Sequence, residues 1–215
     1  KLLTEEPDFL VVTAFGQIFP KEILAIPKYG CINIHFSLLP KYRGASPAQE
    51  AILNGDRETG VSFIVMEAAL DAGPVLAQES IPISREDTAG TLLEELSDIA
   101  AQKLPDLLAD FAEGNITPLP QDESTATFCR KIEKEDGFLD PVSEDAESMV
   151  RKIRAYHPWP SCYVQVAGKR LKITQARSSE QKNSSKNAGE WILEGKTAAL
   201  VTKNGLLRPT RLQLE

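Results

Sequence analysis

Residues 31–40 read Cys-Ile-Asn-Ile-His-Phe-Ser-Leu-Leu-Pro, and no other run constrains the fold as much. Side chains of an extended segment alternate between faces, so Ile32, Ile34 and Phe36 share one face and Cys31, Asn33 and His35 the other. The apolar face is that of a buried strand. An amide and an imidazole side by side at a strand end suit the edge where an open α/β sheet receives a ligand. Asn33 offers an N–H donor to a developing oxyanion, and His35 can move a proton near neutral pH. A separate turn, Leu70-Asp71-Ala72-Gly73-Pro74, carries a carboxylate that orients His35 if the fold joins the two. A polar turn capping a strand, with His35 a satisfied structural histidine, fits the spacing equally well.

The chain reads as α/β, then a linker, then a β-rich module. Residues 9–14 are continuously apolar, as in a parallel strand covered on both faces. Phe15-Gly16-Gln17-Ile18 follows as a loop whose glycine permits close backbone approach. A short helical turn is expected over 20–24. Ser46 at the N-cap and Pro47 at the first helical position open a helix that stops at Asn54-Gly55. Residues 61–66 and 75–83 read as extended. The strongest helix spans 91–113, with Leu92, Leu96, Ile99, Ala100, Leu104, Leu107, Leu108 and Phe111 spaced by threes and fours. A kink is expected at Pro105 and a stop at Gly114. Residues 115–127, with Pro118 and Pro120, read as a linker between domains over 1–114 and 128–215. Past it, Ser143 is expected to cap a short helix facing inward through Ala146, Met149, Val150 and Ile153. Trp159 reads as a packing anchor and His157 as structural. A hairpin turns at Ala167-Gly168 and another at Asn204-Gly205, and the Ser-, Asn- and Lys-rich stretch 178–189 reads as a mobile loop. Several short strands at this spacing suit a small barrel.

Charge is split along the chain. Residues 1–150 carry 11 Lys and Arg against 27 Asp and Glu, a net of −16, whereas 151–215 carry 13 against 4, a net of +9. A basic tail on an acidic body suggests a polyanionic partner, or a basic solvated surface. Cys31, Cys129 and Cys162 are widely spaced and read as unpaired thiols of a reducing compartment. Cys31 shares the Asn33 and His35 face and is not assigned to the core alone. No metal-ligand spacing, signal peptide or membrane span is visible, so a cytoplasmic or organellar-matrix protein without a metal is expected.

The run GCINIHFSLLPKYRGASPAQEAILNGDRETGVSFIVM with LDAGPVLAQ strongly resembles the formyltransferases that use 10-formyltetrahydrofolate. The shared pattern is Asn33-x-His35, Ser37-Leu38-Leu39-Pro40, Arg43-Gly44-Ala45, Gly55-Asp56 with Thr59-Gly60-Val61, and Asp71-Ala72-Gly73. A second block, IRAYHPWPSCYVQVAGKRLKI, resembles the start of the family's C-terminal domain, in the branch whose acceptor is methionyl-tRNA. The resemblance weakens after about Gln175. The family opens with a Gly-rich βαβ half that is not seen before Lys1. An enzyme lacking its first strands and helices is therefore expected, with residues 1–215 inactive alone.

The resemblance implies a partial, open, Rossmann-like formyltransferase sheet followed by an OB-like barrel. It implies formyl transfer from 10-formyltetrahydrofolate to the α-amine of methionyl-initiator-tRNA by a monomer. Asn33 and His35 would bind the intermediate's oxyanion or shuttle its proton, with Asp71 orienting His35 and favouring its cation. Ser37, Leu38, Leu39 and Pro40 would contact the folate, and Phe15, Gly16 and Ile18 would line the pterin pocket. Arg43 would meet a substrate phosphate or make a structural ion pair. Arg151, Lys152, Arg154, Lys169, Arg170 and Lys172 would bind tRNA. A relative acting on a small amine such as a nucleotide-sugar amine, a folate hydrolase, and a non-catalytic binding module remain as alternatives.

Overall fold

The computed structural model describes residues 6–16, 19–180, 186–195 and 197–214. They form two compact units. The first takes the chain up to Ala51, then Asp56–Ile83 and Leu92–Lys131; the second takes Ile52–Gly55, Ser84–Thr91 and the chain from Ile132 onward.

The first unit is built on a mixed sheet. Strand β1 (Leu10–Thr13) is followed by the short helix α1 (Lys21–Leu24) and by β2 (Cys31–His35), which pairs parallel to β1. A two-residue strand β3 (Arg43–Gly44) precedes helix α2 (Pro47–Asn54), which opens at Pro47 because an N-terminal residue needs no N–H donor. Strands β4 (Glu58–Val65) and β5 (Val75–Pro82) then add antiparallel, giving the order β1-β2-β4-β5. Ile32, Val61, Phe63 and Ile64 are fully buried in this sheet. Helix α3 (Ala89–Ala112) runs unbroken past Pro105, where the sequence predicts a kink. Its stripe supplies Leu92, Leu96, Ala100 and Leu107, all at most 3% exposed. Each buried leucine contributes about 1.5–3 kcal/mol, and this outweighs the one helix bond that proline removes.

Residues 115–127 are not a free linker. Leu119 exchanges both backbone hydrogen bonds with Val75 at 2.8 Å, and β6 (Phe128–Cys129) pairs parallel to β3. The prolines do not prevent this. In an antiparallel bridge only alternate residues face the partner, so Leu119 bonds while Pro118 and Pro120 face away. The first unit extends to Lys131.

In the second unit, helix α4 (Ala146–Ala155) is capped by Asp145, whose carboxylate accepts from the Ser148 N–H at 2.7 Å. Ser143, expected as the cap, instead donates to Asp140 Oδ2. Strands β7 (Cys162–Val166), β8 (Lys169–Ser179), β9 (Trp191–Glu194), β10 (Thr197–Val201) and β11 (Leu206–Leu214) form one antiparallel sheet in the order β7-β8-β11-β10-β9. β7 with β8 and β10 with β11 are the two expected hairpins; β9 was not expected, and β8 runs two residues into the stretch read as a loop, of which 181–185 lie outside the described residues. Met149, Ile153, Leu139, Ile173, Leu200, Leu206 and Leu207 form the core. Trp159, expected as an anchor, is 52% exposed. A mixed α/β unit followed by an antiparallel β unit is the fold class that the pattern predicts. No described helix is long and apolar enough to cross a membrane.

Candidate active site

Asn33 and His35 project from one face of the C-terminal half of strand β2, and the Asp71 turn closes over them. Asn33 Nδ2 donates to Asp71 Oδ1 at 3.1 Å, and His35 Nδ1 faces Asp71 Oδ2 at 3.7 Å. The two side chains of the strand thus meet the carboxylate 36 to 38 positions on. Cys31, the third residue on this face, is buried with its thiol toward the carbonyls of Ile23 and Leu24 in α1, and burial pushes its pKa up.

The other His35 nitrogen fixes the tautomer. Nε2 lies 2.9 Å from the Tyr42 carbonyl, which can only accept, so Nε2 carries the proton. A neutral ring then turns the Nδ1 lone pair toward Asp71, and 3.7 Å is a separation without a shared proton. The ring is 6% exposed. Burial lowers its pKa below the ordinary 6.5, although Asp71 and the Tyr42 carbonyl both oppose the shift. Asp71 favours the cation, as expected, but desolvation of the ring outweighs the carboxylate. The site can take up a proton at Nδ1, beside an anion that stabilises the charged ring once it forms.

Asp71 sits at φ +48°, in the left-handed region that Asp tolerates better than most side chains. Its Oδ2 also accepts from the Gly44 N–H at 2.8 Å. Two glycines make this packing possible: a Cβ at Gly44 would lie 2.2 Å from the Cys129 carbonyl oxygen, and one at Gly73 would lie 1.8 Å from that of Val65. Behind the turn, Gln121 Nε2 donates to the carbonyls of Asp71 and Gly73 at 2.8 and 2.7 Å. Gln121 Oε1 accepts from Arg43 Nε and Nη2. Arg43, 2% exposed, completes its bonding with a two-pronged pair to Glu123 at 2.9 and 2.7 Å. The pair raises the Arg43 pKa and lowers that of Glu123. Of the two roles open to Arg43, the structural ion pair is the one seen; a buried guanidinium with this bonding does not present itself to a phosphate.

The Ser37–Pro40 segment is a built loop. Ser37 is fully buried and donates to the Lys41 carbonyl at 2.6 Å, the Leu39 N–H donates to Ser62 Oγ at 3.0 Å, and Gln78 Nε2 donates to the Leu39 carbonyl at 2.9 Å. Leu38 and Pro40 are half-buried. Ser37 and Leu39 shape the loop from within, and Leu38 and Pro40 are the ones with surface left for a ligand. Phe15 is 52% exposed and stacks on Phe19 with ring centroids 5.0 Å apart, next to an open Gly16. Ile18 lies outside the described residues. A polar groove of about 550 Å³ lined by Lys41, Asp56, Arg57 and Ser80 contains none of Asn33, His35 and Asp71. Among the described residues no group of three His, Cys, Asp or Glu side chains is arranged to hold a metal.

The six basic residues proposed for tRNA divide. Arg151 Nε donates to the Leu53 carbonyl, Lys152 Nζ bonds Phe138 O and Glu144, and Arg154 Nη1 donates to the Ser84 and Asp87 carbonyls. Burial lowers the Arg154 pKa. These three serve the second unit's own structure. On the hairpin, Lys169 and Arg170 are exposed, and Arg170 lies 4.5 Å over the Tyr163 ring. Arg170 and Lys172 share the Tyr163 face of the sheet, with Lys172 half-buried.

The Tyr42 carbonyl, the Gly44 N–H, Gln121 and Thr127 were not singled out as site residues. Gly44 stands within the quoted Arg-Gly-Ala segment. The others carry no local signal, because backbone groups and partners some 80 residues away do not show in spacing.

The Formyl transferase model matches residues 1–108, and the Formyl transferase, C-terminal domain model matches 131–215. The methionyl-tRNA formyltransferase of Roseiflexus castenholzii is 45% identical over 201 residues, 94% of this chain and 64% of that protein. That of Listeria monocytogenes serotype 4a is 41% identical over 214 residues, 99% of this chain and 68% of that protein. The chain thus spans about two thirds of the length of these curated relatives. Among solved structures, HypX from Aquifex aeolicus in complex with tetrahydrofolic acid superposes with a TM-score of 0.74 at 23% identity, covering 97% of this chain and 36% of that one. Methionyl-tRNA formyltransferase from Clostridium thermocellum superposes with a TM-score of 0.68 at 20% identity, covering 97% and 78%. At such identities the structures speak for the fold, whereas the family models and the sequence relatives speak for descent. The chain belongs to the formyl transferase family.

Proposed function

We propose that this chain transfers the formyl group of 10-formyltetrahydrofolate to the α-amine of methionyl-initiator-tRNA. The observation that carries the reading is the meeting of Asn33, His35 and Asp71 at the end of β2. The acceptor is inferred from relatives at 41–45% identity named methionyl-tRNA formyltransferase. The contrast between −16 and +9 in the two parts of the sequence supports a polyanionic acceptor.

The amine attacks the formyl carbon, a C–N bond forms, and the carbonyl oxygen gains negative charge. Asn33 spends one N–H on Asp71; the second, with no partner among the described residues, donates to that oxygen. His35 takes the ammonium proton at Nδ1, and Asp71 stabilises the resulting imidazolium. As the bond to folate N10 breaks, the same proton passes to N10. Leu38 and Pro40 of the loop and Phe15 with Gly16 are assigned to the folate. Residues up to 131 are assigned to the chemistry, and those from 132 to acceptor binding through the hairpin cations.

Formyl transfer by the full-length protein, offered methionyl-tRNA and a nucleotide-sugar amine in parallel, tests the reading. Formylation of methionyl-tRNA is expected. Preference for the sugar amine would move the chain to that branch, and no transfer to either would contradict the proposal.

A further inference from the structure

Two residues of the site hold their backbone in the left-handed region: Asp71 at φ +48° and Tyr42 at φ +60°. For a bulky side chain such as tyrosine this conformation is an outlier that persists only when its surroundings hold it. What holds both is the same segment, residues 121–129. The Tyr42 N–H donates to Thr127 Oγ1 at 2.9 Å, the Arg43 N–H to the Thr127 carbonyl at 2.9 Å, and the Thr127 N–H to the Pro40 carbonyl at 3.1 Å. Thr127 thus grips three residues around the peptide whose carbonyl orients His35. The Cys129 thiol adds a longer contact of 3.4 Å to that carbonyl. Six residues before Thr127, the Gln121 amide spends both N–H groups on the carbonyls of Asp71 and Gly73, and its oxygen accepts twice from Arg43. An amide with two donors and two lone pairs has no capacity left for anything else.

We infer that Thr127 and Gln121 are positioning residues of the reaction, Thr127 acting on His35 through the Tyr42 carbonyl and Gln121 acting on Asp71. The inference rests on the formyl-transfer reading for its rate consequences but not for its geometry. A stretch that reads as a proline-containing linker becomes the strap that sets the relative placement of the proton acceptor and its counter-ion. Neither residue touches the Nδ1 face, so substrate affinity does not depend on them.

The test uses the full-length protein with Thr127→Val, Thr127→Ser and Gln121→Glu. Valine keeps the shape and loses the acceptor, serine keeps the acceptor, and glutamate keeps the acceptor toward Arg43 while losing both donors toward the Asp71 turn. In Thr127→Val and Gln121→Glu, kcat should fall roughly 10–100-fold, the scale of a misplacement of about 1 Å. KM for folate and acceptor should stay put, and Thr127→Ser should return kcat close to the wild-type value. A second readout needs no activity. The ring ¹⁵N resonances of His35 are assigned by their loss in His35→Gln. Thr127→Val should disturb its Nε2-protonated pattern, and Thr127→Ser should not. Wild-type kcat together with a wild-type His35 pattern in folded Thr127→Val and Gln121→Glu would overturn the inference. A wild-type protein that transfers no formyl group would overturn the functional reading instead, and the ring resonances would still decide whether Thr127 positions His35.

Discussion

His35 donates from Nε2 to the Tyr42 carbonyl at 2.9 Å while its Nδ1 faces Asp71 Oδ2 at 3.7 Å. The ring is thus held by one nitrogen and left free to react at the other. Burial lowers its proton affinity against the pull of Asp71, which keeps the reactive nitrogen unprotonated near neutral pH.

A pH dependence follows. The proposed chemistry needs neutral His35, so kcat/KM should fall on the acid side with a midpoint below the ordinary histidine value of 6.5. Stability should move in the same direction. The unfolded chain binds the His35 proton at a higher pH than the folded chain, so stability drops as pH falls through the unfolded value. Urea titrations of wild type and His35→Gln at about pH 7.5 and about pH 5.5 measure this. The variant should lose less stability between the two conditions; an equal or larger loss would mean that His35 is not held neutral.

Arg43 should behave as a structural residue. Arg43→Ala leaves Gln121 Oε1 without its two donors and removes the buried half of the pair with Glu123. Glu123 is 68% exposed, so its lost partner is largely replaced by water, and a cost of about 2–3 kcal/mol is expected from the unpaired buried amide and lost packing. The salt dependence of tRNA binding by the folded variant should be that of wild type. A flatter slope at unchanged stability would make Arg43 a phosphate contact after all.

The acceptor should be gripped by the exposed hairpin cations rather than by those of α4. Replacing Lys169 and Arg170 with Glu should weaken tRNA binding and flatten its salt dependence, because fewer counterions are released. Folate binding should be untouched. Titration with tRNA at several salt concentrations reads both, and identical affinities and slopes would remove the hairpin from acceptor capture.

Periodicity shows what lies on one element, and it placed Asn33 and His35 on one face correctly because both sit on β2. Asp71 entered the residue reading only on the condition that the fold joins two turns, and the family resemblance removed that condition, since nothing in its own turn points at a histidine 36 residues earlier. Arg43 stayed ambiguous for the same reason: Gln121 and Glu123 are 78 and 80 positions away. Residues 115–127 misled because two prolines suggest a linker, whereas a single bridging residue between them, Leu119, is enough to bind the segment to β5. The pull of Asp71 on the His35 pKa was legible because a carboxylate is visible in a sequence; the larger, opposing effect of burying the ring is not.

The central claim is that Asp71 acts on His35 during the chemical step. Its most direct test is steady-state formyl transfer to methionyl-tRNA by the full-length protein and by Asp71→Asn. The substitution keeps the shape and the Asn33 neighbour while removing the charge that stabilises the imidazolium. The account predicts a kcat lower by roughly 10²–10⁴-fold, the range of a general acid–base contribution, with KM little changed. An unchanged kcat with a raised KM would contradict it and make Asp71 a binding residue.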